Sequence, residues 1–295
     1  MSTSTDAAPT AVSPAGSPTA ARLDALRAEG RAALVGYLPV GFPDVDRSVE
    51  AVLAMVEAGV DVVEIGVPYT DPVMDGPVIQ RAAESALAGG ARVRDVFRVV
   101  EAVAESSGGR VPALVMTYWN VVLRQGVDAF ARDLAGAGGA GLITPDLIPD
   151  EGKEWIAASD AHGLDRVFLV APSSTPERLA LTARASRGFV YAASTMGVTG
   201  ARAQVGPRAE QLVADTRAAG AEHVCVGLGV STGDQAAEVG RYADGVIVGS
   251  AFVRPLLTDQ PWSQRLDALR ATVADLADGV RRSRREPALP SEERP

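Results

Sequence analysis

A chain of 295 residues with 47% hydrophobic side chains is long enough for a large buried core. Length alone suggests about two domains, although α/β barrels of about 250 residues form a single one. The net charge of -9 and the pI near 4.9 argue against nucleic acid, which calls for a basic face, and no apolar run reaches the ~20 residues of a membrane helix. The single cysteine, Cys225, excludes an internal disulfide framework and suits a reducing, cytoplasmic compartment.

Residues 1–20 are mostly Ser, Thr, Ala and Pro and lack the basic start and apolar stretch of a signal peptide, so they read as a disordered leader. Residues 281–295 are charged and contain proline, and read as a solvated, disordered tail. Between them, residues 21–280 alternate strand and helix patterns. A short amphipathic helix, 21–30, precedes a strand at 33–39, and 46–58 carries helical spacing at Val49, Val52, Leu53 and Val56 before Gly59 as its stop. The second strand is 60–67, followed by helical material at 77–88 and 93–106. Strands three to eight fall at 111–119, 140–144, 166–171, 189–194, 223–228 and 245–248. The helices after strands three to seven fall at 127–137, 150–162, 176–186, 208–219 and 232–242, and the last helix at 262–280. Eight strand–helix units in one series predict a closed (β/α)8 TIM barrel, with the extra N-terminal helix covering its bottom. A doubly wound open sheet needs fewer units.

In such a barrel the loops after the strands gather at one mouth, where catalysis takes place. Glu64 interrupts the β-branched run of strand two. It shares a strand face with Val62 and Gly66, so facing inward it reaches a ligand, whereas facing the outer helices it would be a costly unpaired charge. A structural ion pair is the alternative. Asp75 follows in the next loop, where Asp75-Gly76-Pro77 is also a plain turn and helix start. Gly200, Gly229 and Gly249-Ser250 follow strands six, seven and eight. There, backbone N–H groups and the start of a short helix at 249–253 can cradle a phosphate, unless these glycines only make turns. Tyr37, Tyr191, Met116 and Ile143 could line an apolar slot for a flat ring or be ordinary barrel core.

The one lysine, Lys153, lies in a helix, so no Schiff-base nucleophile stands at the mouth. His162 and His223 sit at a helix end and at the opposite face, which disfavours a zinc site, and no dinucleotide fingerprint follows a strand. Carboxylate acid–base chemistry on a phosphate-bearing substrate, without metal or cofactor, is what these residues leave.

The stretch Val63-Glu64-Ile65-Gly66-Val67-Pro68-Tyr69-Thr70-Asp71-Pro72-Val73-Met74-Asp75-Gly76-Pro77 resembles the signature of the tryptophan synthase alpha subunit family. Gly41-Phe42-Pro43, Met116-Thr117-Tyr118-Trp119-Asn120, Gly197-Val198-Thr199-Gly200, Gly227-Leu228-Gly229-Val230-Ser231 and Val248-Gly249-Ser250-Ala251 extend the likeness across residues 33–257. The resemblance implies retro-aldol cleavage of indole-3-glycerol phosphate to indole and glyceraldehyde 3-phosphate, in the last steps of tryptophan biosynthesis. A stand-alone indole-3-glycerol-phosphate lyase would keep the same residues. By the same resemblance Glu64 is the general acid–base, and Asp75 stabilises charge on the indole nitrogen. Gly200, Gly229, Gly249 and Ser250 hold the phosphate, Tyr37 and Tyr191 line the pocket, and Thr199 pairs with the catalytic Asp when the 197–206 loop closes. It further implies a beta subunit carrying pyridoxal phosphate in an alpha2-beta2 heterotetramer, and no cofactor in this chain. Thr70 stands where Ser is usual, and Ile148 where Pro is common in a partner-facing loop.

Overall fold

The computed structural model describes residues 16–193, 207–227 and 229–283. The described strands are β1 (Ala33–Pro39), β2 (Val62–Gly66), β3 (Ala113–Met116), β4 (Gly141–Ile143), β5 (Asp165–Val167), β6 (Leu169–Val170), β7 (Val190–Ala193), β8 (Val224–Gly227) and β9 (Gly245–Val248). All pair in parallel, in the order β5-β4-β3-β2-β1-β9-β8-β7-β6. The two ends of that order are consecutive in the chain. The fifth predicted strand is split at Phe168, its first half pairing with β4 and its second with β7, while the Phe168 carbonyl accepts from the Tyr191 amide at 3.0 Å. The barrel therefore closes through the backbone of one residue, as the predicted TIM barrel requires.

The described helices are α1 (Pro18–Ala28), α2 (Val45–Ala58), α3 (Pro77–Ala88), α4 (Val93–Ser107), α5 (Trp119–Gln125), α6 (Val127–Gly136), α7 (Lys153–Ala161), α8 (Pro176–Ala185), α9 (Pro207–Ala218), α10 (Gly233–Gly240), α11 (Ser250–Leu256) and α12 (Trp262–Arg282). Their starts obey local chemistry. The Asp44 side chain caps α2 by accepting from the Arg47 amide at 2.8 Å, and Gly59 takes the left-handed conformation that ends it. Two boundaries differ from expectation. Helix α1 begins at Pro18, capped by the Ser17 hydroxyl, rather than at 21. The third strand stops at Met116, and Trp119 opens the short helix α5 instead of ending the strand, because its amide is held by both carboxylate oxygens of Asp146 at 2.9 and 3.1 Å.

Period-two alternation sorts each strand into two cores. Val63 and Ile65 join the large core under the helices, while Val62, Leu114, Ile143, Val167, Tyr191, Cys225 and Ile247 fill the barrel interior with Leu23 and Leu26 of α1. Met116 packs on that inner cluster, so Met116, Ile143 and Tyr191 do line the barrel's inside.

Helix α1 is fixed to the bottom by three buried acids, one at the start of each of three strands. Asp61 accepts from Arg22 at 2.6 Å and from both Arg31 terminal nitrogens at 2.7 and 2.9 Å, Asp244 accepts from Arg27 at 3.1 Å, and Asp165 accepts from the Thr19 amide at 3.2 Å. His223, at the same end, bonds Asp24 of α1 at 2.9 Å. These acids serve architecture, and the opposite end is left for chemistry.

Candidate active site

Strand β2 carries Glu64 toward the mouth, on the same face as Val62, with Tyr37 of β1 and Leu114 of β3 as its register partners. The carboxyl is 1% exposed and its Oε1 has no hydrogen-bond partner. Burial without a compensating donor penalises the charged form, and it raises the Glu64 pKa from 4.5 to about 8. An unpaired buried acid has no architectural value and an energetic cost, which removes the ion-pair reading of Glu64.

Asp75 sits two residues before α3, at the end of the loop that follows β2. It is partly buried, and desolvation lifts its pKa from 3.8 to about 6. Its carbonyl accepts from Gln80 Nε2 at 2.8 Å, which ties it to the first turn of α3. At neutral pH, Glu64 is therefore mostly protonated and Asp75 mostly ionised. Two carboxyl groups with separated pKa values can divide acid and base roles.

Tyr37 and Tyr191 join the two acids into one site. Both phenols are buried, and burial first, then the neighbouring carboxyls, raises both pKa values well above the ordinary tyrosine range. Asp75 and Glu64 act on Tyr37, while Glu64, Cys225 and Asp75 act on Tyr191. The rings need space that only glycine leaves. A Cβ on Gly66 of β2 would lie 2.6 Å from Tyr37 Cε2, and one on Gly227 of β8 would lie 2.8 Å from Tyr191 Cε1. Each tyrosine thus leans over a glycine of the next strand, and both phenols lie near enough to Glu64 and Asp75 to feel them.

On the far side of Tyr37, Gly249 follows β9 and caps α11, and a Cβ there would stand 3.3 Å from Tyr37 Cδ1. Ser250 is the first residue of α11 and is buried. Gly229 adopts the left-handed conformation at φ 71 in the loop after β8. The first-turn amides of a helix have no intrahelical acceptor, and a glycine lets an anion approach them closely. Gly229, Gly249 and Ser250 thus follow the neighbouring strands β8 and β9 into one sector of the mouth, with Gly249 beside Tyr37. Thr199, Gly200 and the 197–206 loop lie outside the described residues.

The sequence pattern did not reveal the part played by Tyr118. Its hydroxyl accepts from the amides of Val73 and Met74 at 3.0 and 3.3 Å, and its ring packs on Tyr69 with centroids 4.6 Å apart. Tyr69 in turn accepts from Asn120 Nδ2 at 2.8 Å. The aromatic cluster at the end of the third strand was the available signal, but its partners are backbone groups.

A family model described as "Tryptophan synthase alpha chain" matches residues 23–281. The tryptophan synthase alpha chain of Mycobacterium marinum is 65% identical over 258 residues, covering 88% of this chain and 93% of its own, and that of Mycobacterium tuberculosis is 62% identical over the same length. A solved structure of Mycobacterium tuberculosis tryptophan synthase superposes with a TM-score of 0.84 at 60% identity, covering 90% of this chain and 99% of that one. Tryptophan synthase subunit alpha from Legionella pneumophila gives a TM-score of 0.82 at 29% identity, covering 90% and 99%. With the barrel, the two-acid chamber and matches of this extent in agreement, the chain belongs to the tryptophan synthase alpha chain family.

Proposed function

We propose that this chain is a carbon–carbon lyase that cleaves indole-3-glycerol phosphate to indole and glyceraldehyde 3-phosphate, with Glu64 and Asp75 as its catalytic residues. The observation that carries this reading is the pair of carboxyls around Tyr37 and Tyr191, one held neutral and one ionised at pH 7. Glu64 gives its proton to the ring carbon that bears the side chain. The resulting cation is stabilised by the Asp75 carboxylate at the ring nitrogen. The Glu64 carboxylate then takes the proton of the neighbouring side-chain hydroxyl. The carbon–carbon bond breaks, its electron pair restores the indole, and the hydroxyl carbon becomes the aldehyde. Glu64 ends protonated, as it began, so the cycle consumes no acid or base.

The substrate phosphate is assigned to the amides around Gly229, Gly249 and Ser250, with Gly200 proposed to complete the site and Thr199 proposed to pair with Asp75. Tyr37 and Tyr191 would hold the flat ring between them. The chemistry is assigned to the barrel, whose helices run from Pro18 of α1 to Arg282 of α12 rather than over 21–280. No described helix is long and apolar enough to cross a membrane, and a cytoplasmic setting accords with this biosynthetic role.

A beta-subunit partner carrying pyridoxal phosphate, in an alpha2-beta2 complex, belongs to the same reading, with no cofactor bound by this chain. Val73, Leu123 and Ile148, the large apolar side chains exposed among the described residues, follow β2, β3 and β4 in turn. Their places after three neighbouring strands make this side of the mouth the surface we propose for such a partner. Family membership does not favour the stand-alone lyase. Another phosphate-binding barrel would not need both acids. The test is indole release by wild type, Glu64→Gln and Asp75→Asn, with and without beta subunit. Slow wild-type turnover that the partner raises, lost in Glu64→Gln, supports the reading; equal turnover in wild type and Glu64→Gln rejects it.

A further inference from the structure

A carboxylate that must meet a ring nitrogen needs its loop held to a fraction of an ångström, because a misplacement of about 1 Å can cost about 100-fold in rate. The loop after β2 has little of its own to supply this. Val73 is 71% exposed, and Thr70 and Asp71 bond each other at 2.5 Å, a contact local to the loop. The long-range hold comes from Tyr118. Its ring is 9% exposed, and its hydroxyl oxygen receives the two successive amides just before Asp75. Tyr118 is itself braced on three sides: it is the residue before α5, its ring lies on Tyr69, and the next amide along the chain is clasped by Asp146.

The site already described contains Asp75 but gives Tyr118 no role. We propose that Tyr118 is a positioning residue for Asp75, setting the distance between that carboxylate and the ring nitrogen by fixing the Val73 and Met74 amides. The inference rests on the lyase reading of Asp75. The Asp75 charge is felt at the Tyr118 hydroxyl, so the two groups are near neighbours although they stand on successive loops, after β2 and after β3. The link to Asn120, through Tyr69, extends the brace to the start of α5, so the loop after β2 is bonded to the segment after β3 at two places.

The experiment is a double-mutant cycle on the full chain assayed with beta subunit: wild type, Tyr118→Phe, Asp75→Asn and the double variant. Phenylalanine keeps the ring and its packing and removes only the acceptor oxygen, and circular dichroism melting checks that each variant is folded. The expected result is a kcat lowered about 10- to 100-fold in Tyr118→Phe with KM changed less than about 3-fold, because the phosphate is held on another sector of the mouth. In the Asp75→Asn background the same change should cost less than about 2-fold, since the group it positions is gone. The acid limb of the kcat profile should also move to lower pH in Tyr118→Phe, as the loosened carboxylate regains water. A Tyr118→Phe variant with wild-type kcat overturns the proposal. So does a loss of equal size in both backgrounds, which would mark Tyr118 as structural or as a direct substrate contact. Wild-type turnover in Asp75→Asn alone would instead overturn the role given to Asp75, and the proposal with it.

Discussion

Tyr37 and Glu64 are register partners on adjacent barrel strands, and the phenol that covers the carboxyl feels its charge. Glu64 is 1% exposed, and burial raises its pKa to about 8, so the proton stays on the acid at neutral pH.

A bell-shaped pH dependence of kcat/KM follows from the two shifted acids. Asp75 must be ionised, so activity rises with pH through its pKa of about 6. Glu64 must be protonated, so activity falls through its pKa of about 8. Initial rates of indole release between pH 5 and pH 9.5 would reveal both limbs. A profile flat across that range would contradict the assignment, and Asp75→Asn should erase the acid limb while leaving the alkaline one.

Glu64 costs stability where it provides function. Its folded-state pKa lies above the unfolded value of 4.5, so between about pH 4.5 and pH 8 the unfolded chain gives up this proton while the folded chain keeps it. Wild-type stability therefore declines across that window and levels off above it. Glutamine does not titrate. Glu64→Gln should match wild type in stability near pH 4.5 and exceed it by on the order of 3 kcal/mol at pH 8.5, at about 1.4 kcal/mol per pKa unit less some relief from water entry. Denaturant titrations of both proteins at the two pH values measure the gap. A gap that stays constant with pH would show that Glu64 is not held neutral by its surroundings.

Gly66→Ala should act on the ring rather than on the strand. The new methyl occupies the place of the Tyr37 hydroxyl end, so Tyr37 must turn away from Glu64. We expect kcat/KM to fall by at least about 10-fold, the scale of a lost positioning contact. Adding Tyr37→Ala frees the space and should return part of the loss in melting temperature. If Gly66→Ala alone retains wild-type kinetics, the packing of Tyr37 over Gly66 is not what shapes the chamber.

At the barrel's foot a buried acid has the reverse effect of Glu64. Asp61 is 3% exposed and holds Arg22, Arg31 and the Leu34 amide. Asp61→Asn leaves Arg22 without its acid and Arg31 with Glu29 alone, and the loss should be about 2 to 4 kcal/mol, the lower part of the range for broken buried pairs because both arginines reach solvent. Melting temperature should drop by roughly 5 to 10 °C, with kcat at 20 °C unchanged. A kcat loss in folded Asp61→Asn would mean the foot is coupled to the mouth.

Much of this was legible in the residues. Alternating strand and helix patterns, each punctuated by glycine or proline, prescribe the barrel, and the parity of Val62, Glu64 and Gly66 puts the acid inside it. Other features depend on partners remote in the chain. The split at Phe168 exists because one half of the strand answers to β4 and the other to β7, which no local pattern encodes. Helix α5 begins inside an aromatic and β-branched run that reads as strand, and it turns helical there because Asp146 satisfies the Trp119 amide. Tyr118 was visible in its motif but its role was not, because its two donors are backbone amides, and a backbone amide looks the same in every sequence. The Ser17-Pro18 start of α1 was a local signal, a capping hydroxyl followed by proline, and extending the leader to residue 20 passed over it.

The division of acids between the two ends of the barrel sorts mutational phenotypes by screen. Replacing Asp61, Asp165 or Asp244 should surface in assays of expression yield and aggregation, whereas replacing Glu64 or Asp75 should surface as tryptophan auxotrophy in cells that make plenty of well-folded protein. Selection for heat resistance alone would thus drift toward neutral residues at the mouth and away from them at the foot. A laboratory lineage evolved under heat without a growth requirement should lose Glu64 before it loses Asp61.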